Sequence, residues 1–188
     1  MTSKDPILNK DGVLSFTPTP PAGGEKPETR YLSNMKQSAG ILPYKLVKGK
    51  PFFFIGHPGG PYYRNKDVGF WSIVKGEMDE GEESLRAAIR EFKEETSVDI
   101  TGPFIPLTSV KQKSGKLVHV WAVEQDFATD NIKSNTFTLE WPPRSGKMEE
   151  FPELDRFEWF DQATTLLKLI PGQIPFVHEL LAYVKANQ

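Results

Sequence analysis

Along the chain, short alternating apolar runs give way to a helical spacing and then return. Gly40, Ile41, Leu42, Tyr44, Leu46 and Val47 mark a strand over 38–47 that Pro43 interrupts. Phe52, Phe53, Phe54 and Ile55 mark a returning strand over 51–57, and Lys48-Gly49-Lys50 between them predicts a tight turn and a hairpin. A punctuated loop, His57-Pro58-Gly59-Gly60-Pro61-Tyr62-Tyr63-Arg64, precedes a short strand at Trp71-Ser72-Ile73-Val74. Leu85, Ala88, Ile89 and Phe92 then fall at i, i+3, i+4 and i+7, the stripe of an amphipathic helix. Two β-rich runs, 104–112 and 117–125, flank Lys113-Ser114-Gly115-Lys116 and predict a second hairpin.

Residues 126–156 carry no clear period and read as one long connection, a length that in a compact domain marks a functional loop or lid. Phe157-Glu158-Trp159-Phe160 is a last strand, and Asp161 is placed to cap a helix over 162–169. A closing helix follows Pro175, with Phe176, Val177, Leu180, Leu181 and Val184 as its stripe. Strands, helix, strands and two helices in that order predict an α/β fold in which a mixed sheet lies between helices. Residues 1–36, with Thr17-Pro18-Thr19-Pro20-Pro21-Ala22-Gly23-Gly24, read as a Pro/Gly-rich N-terminal extension ahead of a domain over 37–188.

Composition narrows the chemistry. At 188 residues, 38% hydrophobic and 12% aromatic, the chain suits one folded domain plus an extension. A net charge of −2 gives no electrostatic reason to expect nucleic acid or membrane as a partner. The absence of cysteine excludes disulfides, thiol nucleophiles and thiolate metal sites, and the three histidines, His57, His119 and His178, form no zinc spacing. With no apolar signal core at the N-terminus and no span of about 20 apolar residues, the expectation is a soluble cytoplasmic protein. G-x-S-x-G, Walker, H-E-x-x-H and G-x-G-x-x-G patterns are all missing.

One stretch concentrates charge. Glu77, Asp79, Glu80, Glu82, Glu83, Glu91, Glu94 and Glu95 are eight of the 25 acids, packed into 19 residues. On a helical wheel Glu91, Glu94 and Glu95 cluster on an arc away from the apolar stripe. Like charges at i,i+3 and i,i+4 each cost about 0.2–0.5 kcal/mol, and Arg90 can reach Glu94 only in the weaker orientation. A hard divalent cation that keeps waters and phosphates in its shell accounts for such a cluster. The plain alternative is a solvated acidic face.

The spacing resembles the Nudix box, G-x5-E-x7-R-E-U-x-E-E-x-G-U with U bulky and apolar, supplied here by Gly76, Glu82, Arg90, Glu91, Phe92, Glu94, Glu95 and Val98. Ser97 departs from it, standing where the family has its second Gly. The resemblance covers residues 38–185 and implies a Nudix-type α/β/α sandwich with the box as a loop–helix–loop at one edge. It further implies a Mg2+-dependent (or Mn2+-dependent) pyrophosphohydrolase of a nucleoside-diphosphate-linked small molecule. Metal ligation would fall to Glu91, Glu94 and Glu95, helped by the Gly76 carbonyl. Arg90 would orient a catalytic glutamate and Glu82 would fix the loop. The base is Glu91 or Glu95. Glu153 is a candidate extra acid from outside the box, Lys75 is placed equally to touch a phosphate or to lie on the surface, and Arg144 is a phosphate candidate in the long connection. Tyr62, Tyr63, Phe70 and Trp71 are candidates to stack on a base, although core packing is the commoner use, and His119 reads as structural.

The substrate stays open. The chain resembles small bacterial Nudix proteins described as NTP pyrophosphohydrolases, and the zone about 16 residues beyond the box holds Lys113-Ser114-Gly115-Lys116 rather than the Tyr or Pro of dinucleoside-polyphosphate and ADP-ribose subgroups. Alternatives are a dinucleoside polyphosphate (Ap4A-type) hydrolase and a Nudix-fold nucleotide-binding module without turnover. The intact Arg90, Glu91, Glu94 and Glu95 favour the enzyme.

Overall fold

A computed structural model describes residues 36–112 and 115–187. The expected N-terminal extension, apart from Lys36, and the Lys113-Ser114 half of the second turn lie outside the described residues. Strand β1 (Gln37–Val47) pairs antiparallel with β2 (Lys50–Pro58). Lys48 and Gly49 join them at φ 52 and φ 75, both in the left-handed region that a two-residue hairpin turn of this twist demands.

Pro43 does not break β1. It falls where pairing on one edge of β1 passes from β3 (Val74–Glu77), matched from Ser38↔Glu77 to Ile41↔Val74, to β2, matched from Tyr44↔Phe53 onward. The short strand before the box is also shifted from its expected place. Trp71 and Ser72 make only isolated bridges, to Leu169 and Gly56, whereas β3 itself contains Gly76 and Glu77 and so delivers the box directly from the sheet. On the other edge of β1 lies β5 (Leu117–Glu124), in parallel, with β4 (Ile105–Lys111) outside it, and β8 (Leu154–Asp161) pairs with β2, giving the order β4-β5-β1-β2-β8.

The pleat sorts side chains into two cores. Leu42, Tyr44, Phe53, Ile55, Val118, Val120 and Ala122 face α2 (Gln162–Lys168) and α3 (Ile174–Ala186), meeting Phe176, Val177 and Leu180. Ala39, Ile41, Phe54 and Val123 face α1 (Ser84–Thr96), meeting Ala87, Ala88 and Phe92. The result is the expected mixed sheet between helices. Asp161 caps α2 as its position predicts, accepting from the Thr164 N–H at 2.8 Å. Among the described residues no helix is long and apolar enough to cross a membrane.

The long connection differs most from expectation. It contains a two-stranded hairpin, β6 (Thr136–Glu140) with β7 (Met148–Pro152), and β8 (Leu154–Asp161) begins earlier than its aromatic core suggests. Trp141-Pro142-Pro143 hides the hairpin in the sequence, since proline there signals irregular chain rather than a turn between paired strands. The segment before it is anchored as well. Phe127 packs on Phe54 at 4.8 Å between ring centres and on Trp159 at 5.1 Å, and its carbonyl accepts from Trp159 Nε1 at 3.2 Å.

Helix α1 ends on Ser97, which takes φ 59 and donates its N–H to the Lys93 carbonyl at 2.7 Å. This is the left-handed helix stop that glycine makes freely and that costs a side chain about 1–2 kcal/mol. Ser97→Gly is therefore expected to raise the thermal midpoint by about 2–4 °C without changing the helix, after allowance for glycine's larger unfolded-state entropy. A calorimetric midpoint equal to or below that of the parent would contradict this reading of the helix end.

Candidate active site

Strand β3 hands the chain to the charged loop at Gly76, and here the backbone and a carboxylate touch. A Cβ on Gly76 would lie 1.7 Å from Glu91 Oε2, so the Glu91 carboxylate lies directly against the strand and only glycine leaves it room. Gly40 does the same for the neighbouring strand, since a Cβ there would meet the Val74 carbonyl at 2.5 Å.

Arg90 organises the loop and the helix together. Its Nε and one terminal nitrogen grip Glu82 at 3.0 and 2.8 Å, and the same terminal nitrogen reaches the Glu77 carbonyl at 3.2 Å. The other terminal nitrogen donates to Glu91 Oε1 at 2.8 Å and Glu94 Oε2 at 3.2 Å. Glu82 also accepts from the Asp79 N–H at 3.1 Å, so the loop is closed from both sides. The guanidinium holds the Glu82 carboxyl down to about 2. Helix α1 starts on Glu83, whose carboxylate accepts from the N–H groups of Leu85 and Arg86.

Glu95 is not on a solvated arc. It is 4% exposed, because the segment before β6 covers it: Ser134 Oγ donates to Glu95 Oε2 at 2.6 Å. The wheel places it three residues beyond Phe92, at the edge of the apolar stripe, and tertiary contact does the rest. Glu153 comes within hydrogen-bonding reach of Glu95. Burial first, then the contact with Glu153, pushes the Glu95 carboxyl above the usual carboxylate range. Burial also raises Glu91, against the pull of Arg90.

Lys75 is half-buried. Burial, then Lys116, lowers its ammonium pKa, while Glu91, Glu95 and Glu77 act to raise it, which puts Lys75 in the field of the same carboxylates. Arg144 is not brought to them. It stands at φ 66 in the exposed turn joining β6 to β7, and among the described residues it makes no hydrogen bond or ion pair. Trp71 is fully buried and so cannot stack on a base, whereas Tyr62 is 54% exposed and meets Trp141 edge-on at 5.3 Å. His119 is tied to Ser109 Oγ at 2.7 Å and Gln37 Oε1 at 2.9 Å.

Three residues of the site escape sequence reasoning: Ser134, Asn135 and Gly59. The Asn135 carbonyl accepts from the Glu153 N–H at 2.8 Å, and the Gly59 N–H donates to the Glu153 carbonyl at 2.8 Å. A Cβ on Gly59 would lie 2.0 Å from the Pro152 carbonyl, so this close approach also requires glycine. None of the three belongs to a periodic run or a motif.

The donor set, carboxylate oxygens beside a strand carbonyl and no nitrogen or sulfur, fits a hard divalent cation. Among the described residues no three His, Cys, Asp or Glu side chains stand together at ligating geometry. The side chains are instead committed to Arg90 and Ser134, and Glu94, at 45% exposure with the longest of the Arg90 carboxylate contacts, is the freest to turn. Mg2+ needs only one or two carboxylates when waters and phosphates complete its shell.

The raised Glu95 carboxyl has a sign that can be measured. Its folded value lies above its ordinary 4.5, so the stability it contributes is complete below that value and is lost as pH rises through the higher folded value. In chelator, the thermal midpoint of the parent chain is expected to fall from about pH 5 to about pH 8, and Glu95→Gln is expected to flatten that slope. Parallel slopes for the two proteins would refute the burial argument.

A family model for the NUDIX domain matches residues 48–180. An octanoyltransferase of Myxococcus xanthus is 31% identical over 101 residues, covering 54% of this chain, and the chain spans only 25% of that relative. The fold is shared with an Ap4A hydrolase of C. elegans in a binary complex (TM-score 0.57, 19% identity, 81% of this chain and 99% of that one). It is shared too with the NUDIX domain of Shewanella oneidensis NrtR complexed with ADP ribose (TM-score 0.57, 12% identity, 85% and 99%). A mutT/nudix family protein from Listeria innocua superposes similarly (TM-score 0.55, 15% identity, 81% and 95%). With a domain match over most of its length and the box residues gathered by Arg90, this chain belongs to the Nudix family, whose enzymes hydrolyse pyrophosphate bonds.

Proposed function

We propose that the chain is a Mg2+-dependent (or Mn2+-dependent) pyrophosphohydrolase that cleaves a phosphoanhydride bond of an NTP or similar nucleoside-diphosphate-linked molecule. The single observation that carries the reading is the pair of half-buried and buried carboxylates, Glu91 over Gly76 and Glu95 against Ser134, with Arg90 tying the loop to the helix. Glu91, Glu94 and Glu95, with the Gly76 carbonyl and Glu153 beside them, would hold the cation, which when bound neutralises charge on the phosphate oxygens.

The protein's own part is positioning. Arg90 keeps Glu91 aimed away from solvent, and Glu82 keeps Arg90 in place through two bonds. A water attacks phosphorus, the bridging P–O bond breaks with its electron pair leaving on the departing phosphate, and the water's proton passes to Glu91 or Glu95. Both carboxyls have raised affinity for a proton, which suits either to that step. Lys75 adds a cation for the phosphates. Arg144 stays a candidate for the distal end of a long substrate, at the tip of the β6–β7 hairpin.

The C. elegans neighbour's name supports testing diadenosine polyphosphates, and the ADP-ribose complex of the NrtR domain supports testing a binding role without turnover. The decisive measurement is phosphate or pyrophosphate release from a panel of NTPs, Ap4A and ADP-ribose with Mg2+. Turnover of at least one compound is expected, with Glu95→Gln folded but slowed by at least about 1,000-fold if Glu95 is the base, a loss comparable to removing a principal catalytic group. Nucleotide binding with no turnover of any compound would sink the enzyme reading.

A further inference from the structure

The covering of Glu95 by the segment before β6 assigns a role to a residue outside the box. We propose that Ser134 is a positioning residue of the reaction: through one hydroxyl it selects which oxygen of Glu95 faces the substrate, and with Asn135 it holds Glu153 against Glu95. The proposal rests on the pyrophosphohydrolase reading and concerns how its buried carboxylate is aimed.

The hydroxyl has a single place to put its hydrogen. Ser134 Oγ accepts from the Leu154 N–H at 3.0 Å, which fixes the oxygen, and the O–H then points to Glu95 Oε2 at 2.6 Å. Oε2 is thereby committed, and Oε1 is left for a cation or a water. The next residue acts on the neighbouring acid, because the Asn135 carbonyl takes the Glu153 N–H at 2.8 Å. One dipeptide thus bonds the carboxylate of Glu95, 39 residues away in the chain, and the backbone of Glu153.

That dipeptide is itself anchored. Phe127 and Ile132 pack with Phe54, Phe92 and Leu154 on the α1 side of the sheet, so its approach to Glu95 is part of the core and not a loop closure. Without the hydroxyl, Glu95 loses the hydrogen bond on Oε2 and still faces Glu153, an acid that repels it whenever both are ionised. The carboxylate then has no reason to keep Oε1 in one place. Supporting residues one step behind a metal or reacting carboxylate commonly change activity or metal affinity by about 10–100-fold when removed.

Three versions of the full chain separate this role from a packing role: the parent, Ser134→Ala and Ser134→Thr. With an NTP, diadenosine tetraphosphate or ADP-ribose, whichever turns over fastest, Ser134→Ala is expected to lose about 10–100-fold in kcat with KM within about twofold. Ser134→Thr, which keeps the hydroxyl, is expected to recover to within about threefold of the parent and to melt within about 2 °C of it, while Ser134→Ala, which leaves Glu95 and the Leu154 N–H unpaired, stays folded but melts a few degrees lower. A parental kcat in Ser134→Ala would overturn the proposal, and so would a threonine variant as slow as the alanine variant at an unchanged melting temperature. If the parent turns over no NTP and neither diadenosine tetraphosphate nor ADP-ribose, the hydrolase reading fails on its own, and Ser134 is judged by Mn2+ titration followed by electron paramagnetic resonance. A loss of about 10–100-fold in Mn2+ affinity for Ser134→Ala sustains its role in aiming Glu95, and an unchanged affinity removes it.

Discussion

A helix that presents Glu91, Glu94 and Glu95 within two turns holds together because one guanidinium answers for the loop as well as the helix. Arg90 spends its donors on Glu82, Glu91, Glu94 and the Glu77 carbonyl, so the repulsion among the acids is offset by a fork that matches carboxylate geometry. Lysine could not do this with a point charge. Closing the 77–82 loop onto α1 also fixes where β3 must end, and through β3 the site is tied to β1 at the centre of the sheet.

Two glycine contacts show how far the site depends on backbone rather than on charge alone. Glu91 lies on Gly76, and Gly59 lies on Pro152, each closer than any side chain would permit. The first places a carboxylate beside a strand carbonyl, and the second brings the β7–β8 corner, with Glu153, alongside β2. Ser97 shows the opposite case. There the family's glycine is replaced, the left-handed stop persists at φ 59, and the cost is carried as strain at the helix end, outside the carboxylate cluster.

Much of this was legible from residue spacing. The α1 stripe, the hairpin with Lys48-Gly49 at its turn and the Asp161 cap rest on contacts within a few residues, where period and turn chemistry are direct signals, and the box is a fixed spacing within 23 residues. The β6–β7 hairpin was not, because Trp141-Pro142-Pro143 reads as irregular chain, and β3 was displaced because Trp71 is apolar for the core's sake, not for a strand's. Glu95 sits at the edge of the apolar stripe on a wheel, but angles along one helix do not show the segment that covers it.

What the sequence determined by itself was the elements written in local period and turn chemistry, such as α1, the β1–β2 hairpin and the Asp161 cap, and the identity of the acids. What only the tertiary structure decided was which acids lose their water and which groups aim them. Ser134 meets Glu95 across 39 residues, and His57 meets Asp155 across 98 at 2.6 Å. Such contacts depend on the order β4-β5-β1-β2-β8 and on Phe127 entering the core, and no periodicity encodes them. The bond-breaking chemistry is therefore local in origin, while the precision with which Glu95 is held belongs to the fold.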